Sequence, residues 1–299
     1  MRVNVAETTH FRVLSDDQIE EILGAALEIL ERVGVQVNDE ETVTLLKEGG
    51  ARAEGETLVR IPSALVQRAL KSAPHRIVLA NRDGQRNLVL TRNRIYFGTG
   101  SDCPNVIDVY SNKRRPCLFD DVARAAQVVD TLEHIDFFIS LGLVSDAPQM
   151  TYDRHQFFAM AMNTKKPLIV TCVDGNGLSD QYEMACLIVR GEERFQANPY
   201  FALYAEPSSP LTHSKEAIER LTFAAERRIP VVYTPGVSGG ATAPVTLAGN
   251  LAQGLAETLS GLVISQLQSH GTPFIMGGFT PLWTCGRAYS AMGRRSSFY

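Results

Sequence analysis

The chain is predicted to be an α/β protein built on parallel strands, and three observations lead there. Short apolar runs alternate with helical stretches from about Tyr96 onward. The runs are nearly continuous rather than alternating in polarity, as expected of strands covered on both faces. The stretches between them carry apolar residues at helical spacing and are long enough to serve as crossovers.

The predicted strands are Ile95–Phe97, Ile135–Leu141, Pro167–Val173, Tyr200–Ala205, Pro230–Thr234 and Pro273–Met276. The predicted helices are Asp120–Thr131, Tyr152–Met162, Ser179–Arg190, Ser214–Arg227 and Leu247–His270. A barrel and an open doubly wound sheet both fit this rhythm. No G-x-G-x-x-G follows a strand, which removes the usual support for the dinucleotide form of the open sheet. Six strands are two fewer than a closed (β/α)8 barrel needs.

The segment before the alternation has a different character. Ser15 with Gln18 forms a capping box, and Asp16 and Asp17 suit the positive end of a helix. Ile19, Ile22, Leu23, Ala26, Leu27, Leu30 and Val33 line its apolar face, and Gly34 supplies the stop. A second helix is predicted over Asp39–Lys47, ending at Gly49-Gly50. Thr57–Ile61 reads as a strand and Pro62 as a helix start. Ile77–Ala80 and Asn87–Leu90 flank Arg82-Asp83-Gly84 as a hairpin. The division is therefore a helical and hairpin segment over 1–92, a partial (β/α) barrel over 93–278, and a tail over 279–299.

That tail holds Trp283, the single Trp of the chain, has no Asp or Glu, and shows neither helical nor strand periodicity. Codon choices exist that, read from the third base onward from Phe279, give Tyr-Thr-Thr-Met-Asp-Met-Arg-Thr-Gly and later Tyr-Gly-Ala-Pro-Glu-Leu. The expectation is that the tail is frame-shifted and the barrel cut short.

Bulk properties narrow the function classes. The chain has 299 residues, 44% hydrophobic and 21% charged, as in an ordinary globular protein. A net charge of −4 gives no nucleic-acid footprint, and Lys113-Arg114-Arg115 reads as a solvated turn. No signal peptide opens the chain, and no apolar run reaches the roughly 20 residues of a membrane span. Dispersed cysteines at 103, 117, 172, 186 and 285 read as reduced thiols, giving a cytoplasmic expectation and no local zinc site.

Four segments carry a family likeness: Leu14–Ile19 with Glu28–Val35; Phe97–Asp102 with Asp108; Ala205–Leu211; and Pro235–Gly236 with Gly239–Gly249. In order and spacing they resemble the trimethylamine:corrinoid methyltransferase family. The resemblance implies a (β/α)8 barrel, here incomplete, that moves a methyl group from trimethylamine or a quaternary amine such as glycine betaine to cobalt. That cobalt belongs to a corrinoid (cobalamin) carried by a separate corrinoid protein, with no cofactor bound directly. Self-association into a homo-oligomer is compatible with it. Some members carry pyrrolysine in the later barrel, at a position that would lie past residue 299.

Barrel sites lie on the loops after the strands, which makes the candidates positional. Gly98, Thr99, Gly100 and Asp102 leave the first strand. The glycines permit close approach to a ligand, and Asp102 either faces a cationic amine or bonds its own backbone in a tight turn. Glu206 leaves the fourth strand on the face of Tyr204, and an acid beside an aromatic ring suits a methylated ammonium. A structural ion pair or loop cap is the alternative there. Gly236, Gly239 and Thr242 shape the fifth loop, which lacks the Lys of a nucleotide loop; Thr242 otherwise simply folds it. His134, His155 and His270 read as structural or surface residues, and Cys172 as a small buried residue. Catalytic residues stay unassigned. The competing readings are another barrel enzyme, a lyase or aldolase, and an inactive fragment that keeps only a partner-docking surface. Lys165 and Lys166 lie at the wrong end of a strand for a Schiff base, which weighs against the first.

Overall fold

A computed structural model of the chain describes residues 12–91, 94–100 and 102–278. Helix α1 (Asp16–Glu28) runs into a π-helical turn at Ile29–Val33. Then come β1 (Val35–Val37), α2 (Glu40–Glu48), β2 (Arg52–Glu54), β3 (Leu58–Arg60) and α3 (Ser63–Ser72). Next are two hairpins, β4 (Ile77–Ala80) with β5 (Arg86–Leu90) and β6 (Asn105–Ile107) with β7 (Arg114–Pro116). The alternating part contains α4 (Phe119–Thr131), α5 (Tyr152–Asn163), β8 (Leu168–Val170), α6 (Gly175–Val189) and α7 (Glu192–Ala197). It continues through β9 (Phe201–Ala205), β10 (Thr212–His213), α8 (Lys215–Glu226), β11 (Val231–Tyr233), α9 (Leu247–Gln268) and β12 (Phe274–Met276). Two compact units result. One comprises His75–Tyr204 with Arg227–Pro230; the other comprises residues 12–74, Ala205–Glu226 and 231–278.

In the unit built on His75–Tyr204, the two hairpins pair antiparallel, and the remaining extended segments pair in parallel in chain order. Gly98 bridges Phe137, Phe138 bridges Leu168, and β8 pairs with β9 in the register Leu168↔Phe201 to Val170↔Leu203. The segments at Ile95–Phe97 and Ile135–Leu141 were expected to be strands, but they form only isolated bridges. Beyond these bridges the backbone enters the left-handed region at Asp102 (φ 33°) and Leu141 (φ 62°). The core beneath is aromatic. Phe195 meets Phe201 at 5.0 Å and Tyr182 at 5.2 Å between ring centres, while Phe157 stands edge-on to Phe201 at 5.7 Å.

Lys113-Arg114-Arg115 is not a solvated turn. Arg114 and Arg115 lie in β7, and the Arg115 fork grips Asp121 at 2.6 and 2.9 Å while its Nε reaches Asp108 at 3.1 Å. Three cations in a row gave no sign of these distant carboxylates.

The second unit is arranged around α9. From Asn250 to Gln266 nearly every residue of this helix is buried, and α1, α2, α3 and α8 all pack on it. β11 and β12 run parallel beside it, Val231↔Phe274 to Tyr233↔Met276. The N-terminal helix starts as its capping box dictates: Ser15 Oγ accepts from Gln18 N at 3.2 Å and Gln18 Oε1 from Ser15 N at 3.0 Å. β1 was not foreseen. It lies between β3, antiparallel, and β10, parallel, the latter a partner about 175 residues away. The described strands mix with helices as the α/β expectation requires, and among the described residues they do not close into a barrel.

Gly34 makes the turn from the π-helical segment into β1. Its φ of 85° and ψ of −172° lie in a region that essentially only glycine occupies, and a Cβ there would sit 2.6 Å from the Val59 carbonyl oxygen. Gly24, in α1, has nothing within 4 Å of a Cβ. Gly34→Ala is expected to lower unfolding free energy by about 2 kcal/mol or more, whereas Gly24→Ala leaves it equal or raised by up to ~1 kcal/mol. Urea denaturation of both variants checks this; equal effects would refute the steric account of Gly34.

Candidate functional site

In the unit built on His75–Tyr204, the loop after the first extended segment is tied to the second extended segment by a side chain. Thr99 Oγ1 donates to the Ile139 carbonyl at 2.6 Å and accepts from Ile139 N at 2.8 Å. Gly98 is required by packing: a Cβ there would collide with the Phe137 ring. Gly100 borders open space. Asp102 is half-buried, and its partners are side chains from elsewhere in the unit, Ser140 Oγ at 2.7 Å and Gln156 Nε2 at 3.2 Å. Sequence reasoning missed both Ser140 and Gln156, each 1% exposed. The Gln156 Oε1 atom, also buried, has no partner among the described residues. Asp102 therefore presents a carboxylate fixed from one side by a hydroxyl and an amide. Tyr204 is half-buried near the end of β9, and Cys172 is buried.

In the second unit, Glu206 follows β9 directly. Its surface is exposed, yet the surrounding chain desolvates the carboxyl enough to raise its pKa above the usual carboxylate range, with Arg220 pulling the other way. The loop after Glu206 is closed by Ser208 and Thr212, which exchange backbone hydrogen bonds at 2.8 and 3.1 Å. The loop carrying Gly236, Gly239 and Thr242 winds around Ser238. The Ser238 carbonyl accepts from the amides of Ala241, Thr242 and Ala243 at 2.9 to 3.1 Å. Thr242 Oγ1 accepts from Ser238 N at 3.0 Å, so this hydroxyl folds the loop. Gly239 is buried and bridges Ala243, and Gly236 is half-buried.

The most heavily bonded group of this unit was not foreseen. Glu257, on α9, is fully buried, and its carboxylate accepts from Ser209 Oγ at 2.6 Å, Leu211 N at 2.9 Å and Gln253 Nε2 at 2.9 Å. One turn on, Ser260 Oγ gives its proton to the Glu257 carbonyl at 2.8 Å. The hydroxyl therefore accepts from His213 Nε2, also at 2.8 Å, and His213 Nδ1 is left to accept from the Tyr233 hydroxyl at 2.8 Å. In the neutral imidazole this places the proton on Nε2. Burial lowers the His213 pKa to about 4 and raises that of Tyr233, an effect to which Glu257 adds. A signal for the network existed in the sequence: Asn250, Gln253, Glu257 and Ser260 recur at spacings of three and four in an otherwise apolar helix.

The remaining candidates are structural. His134, His155 and His270 are exposed, and His155 Nδ1 pairs with the Thr151 carbonyl at 2.9 Å. Lys165 bridges Asp83 at 2.8 Å, and Lys166 bonds the carbonyls of Leu132 and Ile135. Among the described residues, no group of three or more His, Cys, Asp or Glu side chains is placed to hold a metal ion. No described helix is long and apolar enough to cross a membrane. The tail over 279–299, with Trp283 and Cys285, lies outside the described residues.

A fold of parallel strands and crossover helices, with polar residues gathered on the loops after the strands, defines the class as an α/β protein with its candidate chemistry at the strand exits. Within that class the assignment is specific. The model of the trimethylamine methyltransferase (MTTB) family matches residues 1–283, and the chain belongs to that family. It is 30% identical over 269 residues to a trimethylamine methyltransferase of Desulfitobacterium hafniense, covering 90% of this chain and 54% of that protein. It is also 30% identical to the trimethylamine methyltransferase of Methanosarcina thermophila, covering 97% of this chain and 61% of that protein. To a glycine betaine methyltransferase of D. hafniense it is 24% identical, covering 91% and 57%. The chain thus spans between half and two thirds of the length of these relatives.

His213 yields a pH prediction. Its folded pKa, about 4, lies below the value near 6.5 of an unfolded histidine. The unfolded state therefore binds the extra proton first. The stabilising contribution is complete above pH 6.5 and is lost as pH falls toward 4, with a slope approaching about 1.4 kcal/mol per pH unit. Between those limits the unfolding free energy of the wild type is expected to fall more steeply than that of His213→Asn. Parallel curves would show that His213 does not resist protonation.

Proposed function

We propose that this chain forms the front part of a (β/α)8 barrel methyltransferase. It would move a methyl group from a small methylated amine, trimethylamine or a quaternary amine such as glycine betaine, to a corrinoid protein. Membership of the trimethylamine methyltransferase family supports the reaction class. The observation that carries the substrate class is Glu206, a carboxyl at a strand exit whose environment opposes its ionisation and so favours a cationic partner. Asp102, fixed by Ser140 and Gln156, is the second anionic candidate.

In this reading Glu206 attracts the positive nitrogen from the loop after β9, while Asp102 and the Tyr204 ring are the groups of the other unit whose chemistry suits a methylated ammonium. Gly98, Thr99 and Gly100 shape one loop, and Gly236, Gly239 and Thr242 another. A corrinoid carried by the partner supplies the nucleophile that accepts the methyl group, so this chain needs only to bind, orient and shield the amine. A quaternary donor starts charged and leaves as a neutral amine, so no general acid is required. That suits loops whose polar groups are mostly hydroxyls, amides and carboxylates. The lyase or aldolase alternative loses its nucleophile, because Lys165 and Lys166 are both engaged in structural contacts.

The test is direct binding. Titration of the purified chain with trimethylamine and with glycine betaine, followed by NMR, is expected to shift resonances of the loops after β9 and β11 with one of the two amines. Glu206→Gln is expected to weaken that binding about tenfold, equivalent to ~1.4 kcal/mol. Neither amine shifting these loops would remove the basis of the proposal.

A further inference from the structure

The loop 206–213 and the loop 236–243 leave different strands, and among the described residues no backbone hydrogen bond joins them. The connection between them is α9. Glu257 holds the first loop through the Ser209 hydroxyl at 2.6 Å and the Leu211 amide at 2.9 Å. Gln253, one turn earlier, donates from a single nitrogen to two acceptors: Glu257 Oε1 at 2.9 Å and the Thr242 carbonyl at 2.8 Å. A continuous chain of hydrogen bonds therefore runs from Leu211 through Glu257 and Gln253 to Thr242. Both side chains are buried, Glu257 fully and Gln253 to within 8%. A buried carboxyl without water depends on its donors, and the amide of Gln253 is one of the three it has among the described residues.

We infer that Gln253 and Glu257 are positioning residues that lock the two loops into one register, so that order in one is transmitted to the other. The purpose given to the loops rests on the methylated-amine reading; the clamp itself rests on these hydrogen bonds alone. Neither residue touches the proposed substrate, and each acts through the loops it holds. Two loops from separate strands would otherwise move independently, and a site shared between them would lose its geometry whenever either one shifted.

Amide hydrogen exchange on the full chain tests the clamp without a ligand. The Leu211 amide reports the first loop, and the amides of Ala241, Thr242 and Ala243, all bonded to the Ser238 carbonyl, report the second. Gln253→Leu cuts the link but leaves Glu257 with Ser209 and Leu211. It is expected to speed exchange in the second loop at least tenfold and to leave Leu211 within about threefold of the wild type. Glu257→Leu is expected to speed both, although among the described residues the Glu257 carboxylate is hydrogen-bonded toward the 236–243 loop only through Gln253. The Val231 amide, bonded to the Pro273 carbonyl, is the control for global opening. Should Glu257→Leu fail to melt cooperatively, Glu257→Gln carries the same comparison, with about threefold acceleration expected in the second loop and recovery of most of the protection at Leu211. The inference is overturned if variants at Glu257 leave the second loop at the wild-type rate while Leu211 accelerates. It is equally overturned if the Val231 amide accelerates as much as the loops, which would show loss of stability alone. Titration of the wild type with trimethylamine or glycine betaine judges the substrate reading separately, so a clamp without a methylated amine and a methylated amine without a clamp give different results.

Discussion

A carboxylate with no access to water constrains the whole second unit. Glu257 sits on a helix that is packed by four others, and each donor left out would leave part of a buried carboxyl unsatisfied, a loss of about 1–3 kcal/mol. The surrounding chain answers that demand. Ser209 and Leu211 are brought in by the tight closure at Ser208 and Thr212, and Gln253 is brought in by the helix period itself. The neighbouring His213 is neutral because burial holds its pKa near 4, and the Ser260 proton, committed to the Glu257 carbonyl, leaves Nε2 as its donor. The loop geometry at the strand exits thus results from satisfying one buried acid, and the N-terminal helices contribute by excluding water from α9.

The unit built on His75–Tyr204 solves a related problem with fewer groups. Its extended segments at 97–103 and 136–142 make only scattered bridges, so their relative placement depends on side chains. Thr99 doubles as donor and acceptor toward the two backbone groups of Ile139, which substitutes for a missing pair of ladder bonds. Asp102 draws Ser140 from the next segment and Gln156 from α5 to one oxygen. In both units an acid on or beside a loop is the point at which separate chain segments meet, one acid fully buried and the other half-buried.

How much of this the sequence disclosed depends on the range of each interaction. The capping box at Ser15 and the turn at Arg82-Asp83-Gly84 are local, and each element starts or turns where those residues place it, whereas Ile19 and Val33, the ends of the predicted apolar stripe, are exposed. The runs at Pro167, Tyr200, Pro230 and Pro273 became β8, β9, β11 and β12 because uninterrupted apolar residues between turn signals have few other uses. β1 pairs with β10 across a long stretch of chain and is three residues long, too short to have a period. Ile135–Leu141 forms only isolated bridges, and the identity of its left-handed residue, Leu141, gives no warning of that conformation. For the site, Glu206 and Asp102 could be placed at segment ends from the alternation alone. Ser140 and Gln156 could not, because a lone polar residue looks the same whether it faces solvent or a loop; Gln253 and Glu257 stood in a polar stripe along an apolar helix, which marks a face but not the loops it holds.

The division between surface acid and buried acid also bears on what each can contribute to methyl transfer. In the proposed reaction the positive charge on nitrogen is present in the bound amine and fades as the methyl group departs. A carboxylate beside that nitrogen therefore stabilises the starting complex more than the transition state, and by itself improves binding rather than rate. Strong ionisation at that position would work against turnover. Glu206, whose partial desolvation raises its pKa while its surface stays open, is a carboxyl of this binding kind. The rate would then depend on orientation, which neither Glu206 nor Asp102 can supply from a loose loop. Under that proposal orientation would fall to the groups that hold the loops still, and in the second unit buried hydrogen bonds of Gln253 and Glu257 do so.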